Sequence, residues 1–332
     1  MALASPTVAG KAGTFAIVDC NAAATITRDW RTLAGRAVED NVFFDPDFAL
    51  PAIAAIGGAV RVATWREADG EVAALAPFTR SRLGRIAPAF RVRSHPYGPL
   101  GVPLVMAGEV GASVEGLVAG LLDGGVSLVV PEMAMDGPVA AAIIDFAVRS
   151  GRPLAVVNRY QRARLESPDF GVIDCRAGLS TRRRREYARQ MRRLDEQGLV
   201  KIEITGEMEE VGRQFEEFLA LEASGWKGSR GTSLAANPEI AAMARRVVTN
   251  QSAKGFVRIN SIRVDGRPIA MLVSFLMGES AYSWKIAYDE TYAGFSPGAQ
   301  LMLEAGPMLL SIPDIRQIDS CATANHPMID PL

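Results

Sequence analysis

Apolar positions along this chain switch between period two and helical spacing in an order that occurs twice. In the first pass, residues 15–18 predict a strand, and residues 26–39, with Trp30, Leu33 and Val38, predict a helix. Residues 59–65 and 71–80 predict a hairpin closed around Asp69-Gly70. A stiff Pro/Gly loop over residues 95–103 follows, then a helix at 111–123, a short apolar strand at 126–130, a helix at 139–149 and a strand at 153–162. From about Val172 the order returns, with a strand at 200–205, helices at 208–224 and 238–251, and strands at 256–264, 268–276 and 281–288. The turns between those last strands are Asp265-Gly266 and Gly278-Glu279, and a helix at 300–310 and a strand at 315–321 complete the pass.

Two places in this pattern carry candidate chemistry. Residues 295–299 read Phe-Ser-Pro-Gly-Ala and open an apolar helix beside the sheet, which leaves backbone amides that suit phosphate oxygens. Residues 181–194 form a strongly basic helix with Ser180 or Thr181 as N-cap and Gly198 as its stop. On it Tyr187, Met191 and Leu194 make one narrow apolar face, and arginines take the rest. Such a charge run is either a solvated interdomain helix or an anion-binding wall. The arginines between Arg80 and Arg93, with His95 and Tyr97, read either as solvated loop and hairpin-tip residues or as the lining of a groove toward the second half.

A length of 332 residues suits two domains, placed at 1–165 and 166–332, and 48% apolar with 22% charged residues is the balance of a globular protein. The formal net charge of -1 excludes bulk attraction to nucleic acid or anionic membrane, so any anion site is local. Cys20, Cys175 and Cys321 are odd in number and lack Cys-x-x-Cys spacing, and His95 and His326 are the only histidines, so neither a disulfide framework nor a metal site is expected. No apolar run approaches the roughly 18 residues of a membrane span. Residues 1–14 lack the apolar core of a signal peptide or anchor, and the cytoplasm is the expected compartment.

Five segments together resemble a GNAT-type acyltransferase domain, in the CelD-like branch associated with cellulose or exopolysaccharide biosynthesis. They are Gly225-Trp226-Lys227-Gly228, the run from Val264 to Ala270, Lys285-Ile286-Ala287-Tyr288-Asp289-Glu290, Phe295-Ser296-Pro297-Gly298, and Asp319-Ser320-Cys321-Ala322 with His326-Pro327-Met328. The likeness is clear over about residues 178–330, whereas the first half is similar to the degenerate first copy of two-domain relatives, including Fem-type peptidyltransferases. The resemblance implies an α/β chain of two tandem GNAT-like domains, each a mixed, largely antiparallel sheet flanked by helices. It also implies a cleft shared by the domains, and more strands after 315–321, which segments 153–162 and 171–175 are candidates to supply.

The same resemblance implies transfer of an acyl group, in the family usually acetyl, from acetyl-CoA or another acyl-CoA to an amine or hydroxyl of a small-molecule, saccharide or cell-envelope precursor acceptor. It places donor binding on Ile286, Ala287, Phe295, Ser296, Gly298, Ala299, Gln300 and Leu301, and acceptor binding on Trp226, Lys227, Lys285 and Asp289. Catalytic candidates are Asp319, at the end of a predicted strand, His326 as a base and Tyr288 as a general acid. Each has a structural counterpart: Asp319 holding backbone amides, His326 packing a loop, Trp226 anchoring a core. By strand alternation Lys285 and Ala287 share one face and Tyr288 takes the other. The family's Arg/Gln-x-x-Gly-x-Gly/Ala loop falls on residues 293–298, where Ala293 replaces the Arg or Gln and Pro297 removes an amide. Two other functions stay open: a Fem-like transferase drawing on aminoacyl-tRNA, with the basic helix on its phosphates, and an inactive scaffold in polysaccharide synthesis.

Overall fold

Both sheets of the molecule are organised by the turns the sequence announces. At Asp265-Gly266 both residues have positive φ, 48° and 81°, the conformation of a tight hairpin turn whose twist matches its strands. At Asp69-Gly70 the Asp69 carboxylate instead accepts from the Glu71 amide at 2.9 Å and closes the turn with its own side chain. The computed structural model describes residues 13–84, 86–167 and 175–323, and the chain forms two units, Met1–Asn158 and Arg159–Leu332.

The first unit contains β1 (Gly13–Asp19), α1 (Thr27–Ala34), α2 (Pro46–Ile56), β2 (Arg61–Glu67), β3 (Val72–Leu83), β4 (Ala87–Val92), β5 (Leu104–Val105), α3 (Val110–Leu121), β6 (Ser127–Val129) and α4 (Pro138–Arg149). Its sheet runs β1-β2-β3-β4-β6, with β5 against β3, and every pairing is antiparallel except β4 with β6. Trp30 is fully buried and donates its indole N–H to the Phe44 carbonyl at 2.6 Å, which fixes α1 to the turn before α2. On α3, Gly116 lies so close to Trp65 of β2 that a Cβ would meet the indole at 2.2 Å.

The second unit contains β7 (Arg164–Glu166), α5 (Thr181–Asp195), β8 (Val200–Thr205), α6 (Met208–Ser224), α7 (Trp226–Ser229), α8 (Pro238–Ser252), β9 (Val257–Val264), β10 (Arg267–Met277), β11 (Ser280–Tyr288), α9 (Pro297–Leu310) and β12 (Gln317–Asp319). Its sheet runs β7-β12-β11-β10-β9-β8, antiparallel except for β11 with β12. Leu301, Ala305 and Leu309 of α9 pack with Leu194 of α5 on Ile262, Leu272 and Leu276 of the sheet. Helices α6 and α8 pack on each other, and α6 covers β9, β10 and β11. In both units four strands in an antiparallel run are followed, after a helix, by a strand parallel to the last of them, β6 beside β4 and β12 beside β11, so the repetition read in the sequence is a repetition of topology.

Several predicted elements change. Residues 152–163 carry no strand, so the expected strand at 153–162 is absent; Val157 there is 81% exposed, and an apolar residue with nothing to pack against gives no reason for pairing. The added edge strand is β7, beside that segment, and residues 171–174 of the other candidate lie outside the described residues. Because the units divide after Asn158, β7 belongs with the second sheet. The strand expected at 315–321 shrinks to β12, bounded by Asp314 at φ 71° and Cys321 at φ 52°. The segment around Arg91, read in the sequence as solvated arginine loop, belongs to strand β4, which buries Ala89 and Val92 and leaves Arg91 exposed. The helix expected at 26–39 ends at Ala34.

Candidate functional site

The site lies where β11 loses its neighbour. Pairing with β12 covers only Ser280, Ala281 and Tyr282, and from Ser283 onward that side of β11 has no strand among the described residues. Asp289 donates its amide to the Ile269 carbonyl at 2.8 Å, and by antiparallel alternation Ala287 and Lys285 also direct their backbone groups at β10. Ile286 and Tyr288 therefore present theirs to the open side. A bulge between the Val273–Lys285 and Ser274–Ser283 pairs leaves Trp284 as the extra residue just before this edge.

A pocket of about 440 Å³ opens along that edge. Ile286, Ala287 and Tyr288 form one side, Glu222, Trp226 and Lys227 another, and Ser296 to Ala299 a third. Side chains from both faces of β11 line it, which fits a pocket that straddles the strand edge. Helix α6 brings Glu222 there because Val211, Phe215, Phe218, Leu219 and Glu222 share its buried stripe. Glu222, 3% exposed, accepts from the Leu234 amide at 2.8 Å and from Lys227 Nζ at 3.0 Å. Lys227 Nζ also donates to the Ile286 carbonyl at 2.8 Å, so an ammonium sits on the open edge. Lys285 is on the face that α6 covers, and burial, reinforced by the charge of Lys227, lowers its pKa to about 8.

The pocket's third side is the start of α9. Ser296 has φ 51° and makes no side-chain cap, and Pro297 has no N–H, so the amides of Gly298 and Ala299 carry the positive end of the helix into the pocket. Helix α5 is joined to this point. Gln300 Nε2 donates to the Tyr187 carbonyl at 3.1 Å, the Arg193 guanidinium lies 5.7 Å from the Phe295 ring centre, and Arg183 and Tyr187 reach the pocket rim. The helix begins as expected, with Ser180 accepting from the Arg183 amide at 3.3 Å, and buries Leu194 while residues 182–185 stay exposed. The wider hollow of the first unit, about 610 Å³ beside Arg80, Arg82 and Phe90, has no carboxylate or histidine in its lining.

Of the residues singled out from sequence, Trp226, Lys227, Ile286, Ala287, Tyr288, Ser296, Gly298 and Ala299 converge on this pocket. Gln300 and Leu301 lie beneath it, 1% and 0% exposed, and Phe295 packs against the core. Asp289 serves the backbone: its carboxylate accepts from the Thr291 amide and hydroxyl at 3.0 and 2.7 Å and from Arg267 at 2.6 Å. Burial would raise the pKa of Asp289, but the Thr291 hydrogen bonds and the Arg267 charge outweigh it and hold it below the usual value. Asp319 is likewise occupied, accepting from the Cys321 amide at 2.7 Å and pairing with Arg162 at 3.3 Å. His326 lies outside the described residues. Arg183 and Tyr187 belong to the basic helix that the sequence offered as an anion-binding wall or a solvated helix; Glu222 was missed, and its available signal was a carboxylate inside an apolar helical stripe. Among the described residues no cluster suited to a metal ion occurs, and no helix is long and apolar enough to cross a membrane.

Comparison with known proteins places the fold. Residues 181–306 match the family model of the acetyltransferase (GNAT) domain. No curated protein matches the chain in sequence. Among solved structures, FemX superposes with a TM-score of 0.52 at 10% identity, covering 91% of this chain and 88% of its own. A conserved protein of unknown function from Bacteroides thetaiotaomicron gives 0.54 at 13% identity over 89% and 87%. The C-terminal domain of a protein from Agrobacterium fabrum classed as a lysylphosphatidylglycerol synthetase gives 0.53 at 12% identity over 90% and 78%. At these identities the likeness is one of fold, and it spans both units. The second unit thus carries an acyltransferase domain of the GNAT superfamily, in a chain with the two-domain fold of FemX.

Proposed function

We propose that the protein transfers an acyl group from an acyl-CoA, with acetyl-CoA the first donor to test, to an amine or hydroxyl of a small-molecule or saccharide acceptor. The observation that carries this reading is the meeting, in one pocket of about 440 Å³, of the open edge of β11 with the uncapped first turn of α9. An extended chain of amides, as in the pantetheine arm of CoA, pairs with a strand edge, and a pyrophosphate matches helix-terminal amides. Trp226, 45% exposed at the rim with Arg230 5.1 Å from its ring centre, is placed to meet the acceptor. Calorimetric titration of the full chain with CoA, acetyl-CoA and longer acyl-CoAs tests the reading; saturable binding is expected, and no binding of any of them overturns it.

Arg183 at the same rim, with the exposed arginines beside it on α5, favours one other reading, in which the acyl group arrives on tRNA. Replacing Arg182, Arg183, Arg184 and Arg185 with Gln would then weaken tRNA binding and flatten its salt dependence. An unchanged affinity for tRNA eliminates that reading.

A further inference from the structure

We propose that Lys227 is the charged hydrogen-bond donor to the carbonyl oxygen of the acyl thioester, with Glu222 as the residue that positions it. The inference rests on the acyl-thioester reading above and assigns a catalytic group within it.

An ammonium carries three N–H donors. For Lys227 one goes to Glu222 at 3.0 Å and one to the Ile286 carbonyl at 2.8 Å, and among the described residues no acceptor takes the third. That group lines the pocket. The bond to Ile286 sets the ammonium on the open edge of β11, where the amides of Ile286 and Tyr288 point. A thioester carbonyl accepting from one of those amides has the ammonium as its neighbour along the strand. Glu222 holds the geometry because both its oxygens are engaged, one by Lys227 and one by the Leu234 amide. Its side chain is 2% exposed against 24% for Lys227, so the carboxylate is the fixed end of the pair and the ammonium the end that reaches the pocket.

The reaction gives that donor its use. The acceptor's nitrogen or oxygen forms a bond to the thioester carbon, and the C=O π pair moves onto oxygen, which becomes a full anion. The pair returns as the C–S bond breaks, and the departing CoA thiolate takes the proton lost by the acceptor, giving acylated product and CoA thiol. A positive donor fixed beside the carbonyl interacts more strongly with the anion than with the starting ester, the condition for lowering the barrier. Backbone amides alone would bind the ester but meet the anion with weaker, neutral donors.

The test compares acetyl-CoA with S-ethyl-CoA, a thioether that lacks only the carbonyl oxygen. Both are titrated calorimetrically into the full chain as wild type, Lys227→Arg, and the double variant Glu222→Gln, Lys227→Met. The double variant avoids leaving Glu222 as a buried unpaired charge, and thermal melts check that each variant folds. Wild type is expected to prefer acetyl-CoA by about tenfold, the size of one charge-assisted hydrogen bond. The double variant should lose most of that preference, keeping only the part the backbone amides supply, and Lys227→Arg should retain more of it. A folded double variant that keeps the full preference, or a wild type that binds both ligands equally, overturns the role of Lys227 while leaving CoA binding intact. A wild type that binds neither ligand removes the acyl-CoA reading itself and this role with it.

Discussion

The two sheets share a strand order and part company after the fourth strand. In the first unit β4 stops at Val92, the chain loops through residues 95–103, and β5 returns to pair with Ala74 and Leu75 of β3. Gly101 then donates its amide to Glu132, beyond β6, at 3.2 Å. This segment occupies the place a diverging strand pair would leave open, and it is a core: Val102 is 1% exposed, Leu104 and Val105 are 0%. In the second unit β11 continues along β10 to Tyr288, no described segment re-enters, and the space remains as the pocket. The helices after the gap differ in the same sense. Helix α3 has Glu109 at its N-cap, a negative charge at the positive helix end, whereas α9 has Ser296 and two uncapped amides. One topology thus gives packing where the gap is filled and a ligand site where it is left open.

The comparison breaks most visibly at Gly101. A Cβ there would meet the Pro131 carbonyl oxygen at 2.2 Å, a backbone contact that cannot move aside cheaply. Gly101→Val should cost about 3 kcal/mol and lower the first unit's Tm by roughly 6–12 °C, measured by calorimetric melting. CoA affinity, titrated well below the melt, should not change. A parallel loss of CoA binding would mean that the filled gap contributes to the donor site and that the two units do not act separately.

The reverse change gives the second unit the charge of the first. Gly298→Glu puts a carboxylate into the first turn of α9, and affinity for CoA should fall about 100-fold, or roughly 2.7 kcal/mol. Retained affinity would show that phosphates do not lie on this helix end.

How much of this was legible in the sequence depends on the physics of each element. The strands around Asp265-Gly266 and the α9 start were readable because turn chemistry and period-two patterning are local. Strand β4 was not, because Arg91 and Arg93 flank Val92 and its buried positions, Ala89 and Val92, do not follow period two. Lys227 was placed in the site by the family resemblance of the segment Gly225 to Gly228, but its partner Glu222 is set by the packing of α6, which no local signal reports apart from a charge in an apolar stripe. Asp289 and Asp319 show the other side of this: a carboxylate at a strand end looks chemical, and here both accept from the amide two residues on, which period and turn chemistry alone do not distinguish.

Asp289 offers a smaller test of that distinction. Asp289→Ala removes the cap of the turn from Glu290 to Phe295 and its bond to Arg267. The expected cost is about 1–2 kcal/mol in urea unfolding, with at most a modest loss of CoA affinity as the turn loosens ahead of α9. A large loss of affinity without loss of stability would return Asp289 to the site as a ligand-contacting group.

The smallest expected effect concerns the cost of leaving a gap open. On the face of β11 that α6 covers, next to the open edge, the second sheet holds Lys285, whose pKa burial lowers from 10.5 to about 8. Its folded pKa lies below its unfolded one, so between about pH 8 and pH 10.5 the unfolded chain binds the extra proton and stability rises with pH. Below that window the full penalty for burying the charge is present. Lys285→Met should therefore stabilise the protein at pH 7 by about 1 kcal/mol, since solvent at a partly exposed site relieves part of the penalty, and the gain should vanish toward pH 10.5. The measurement is the difference in unfolding free energy between wild type and variant at pH 7 and pH 10, which cancels other titrating groups. A difference that does not change with pH would mean that Lys285 carries no burial cost.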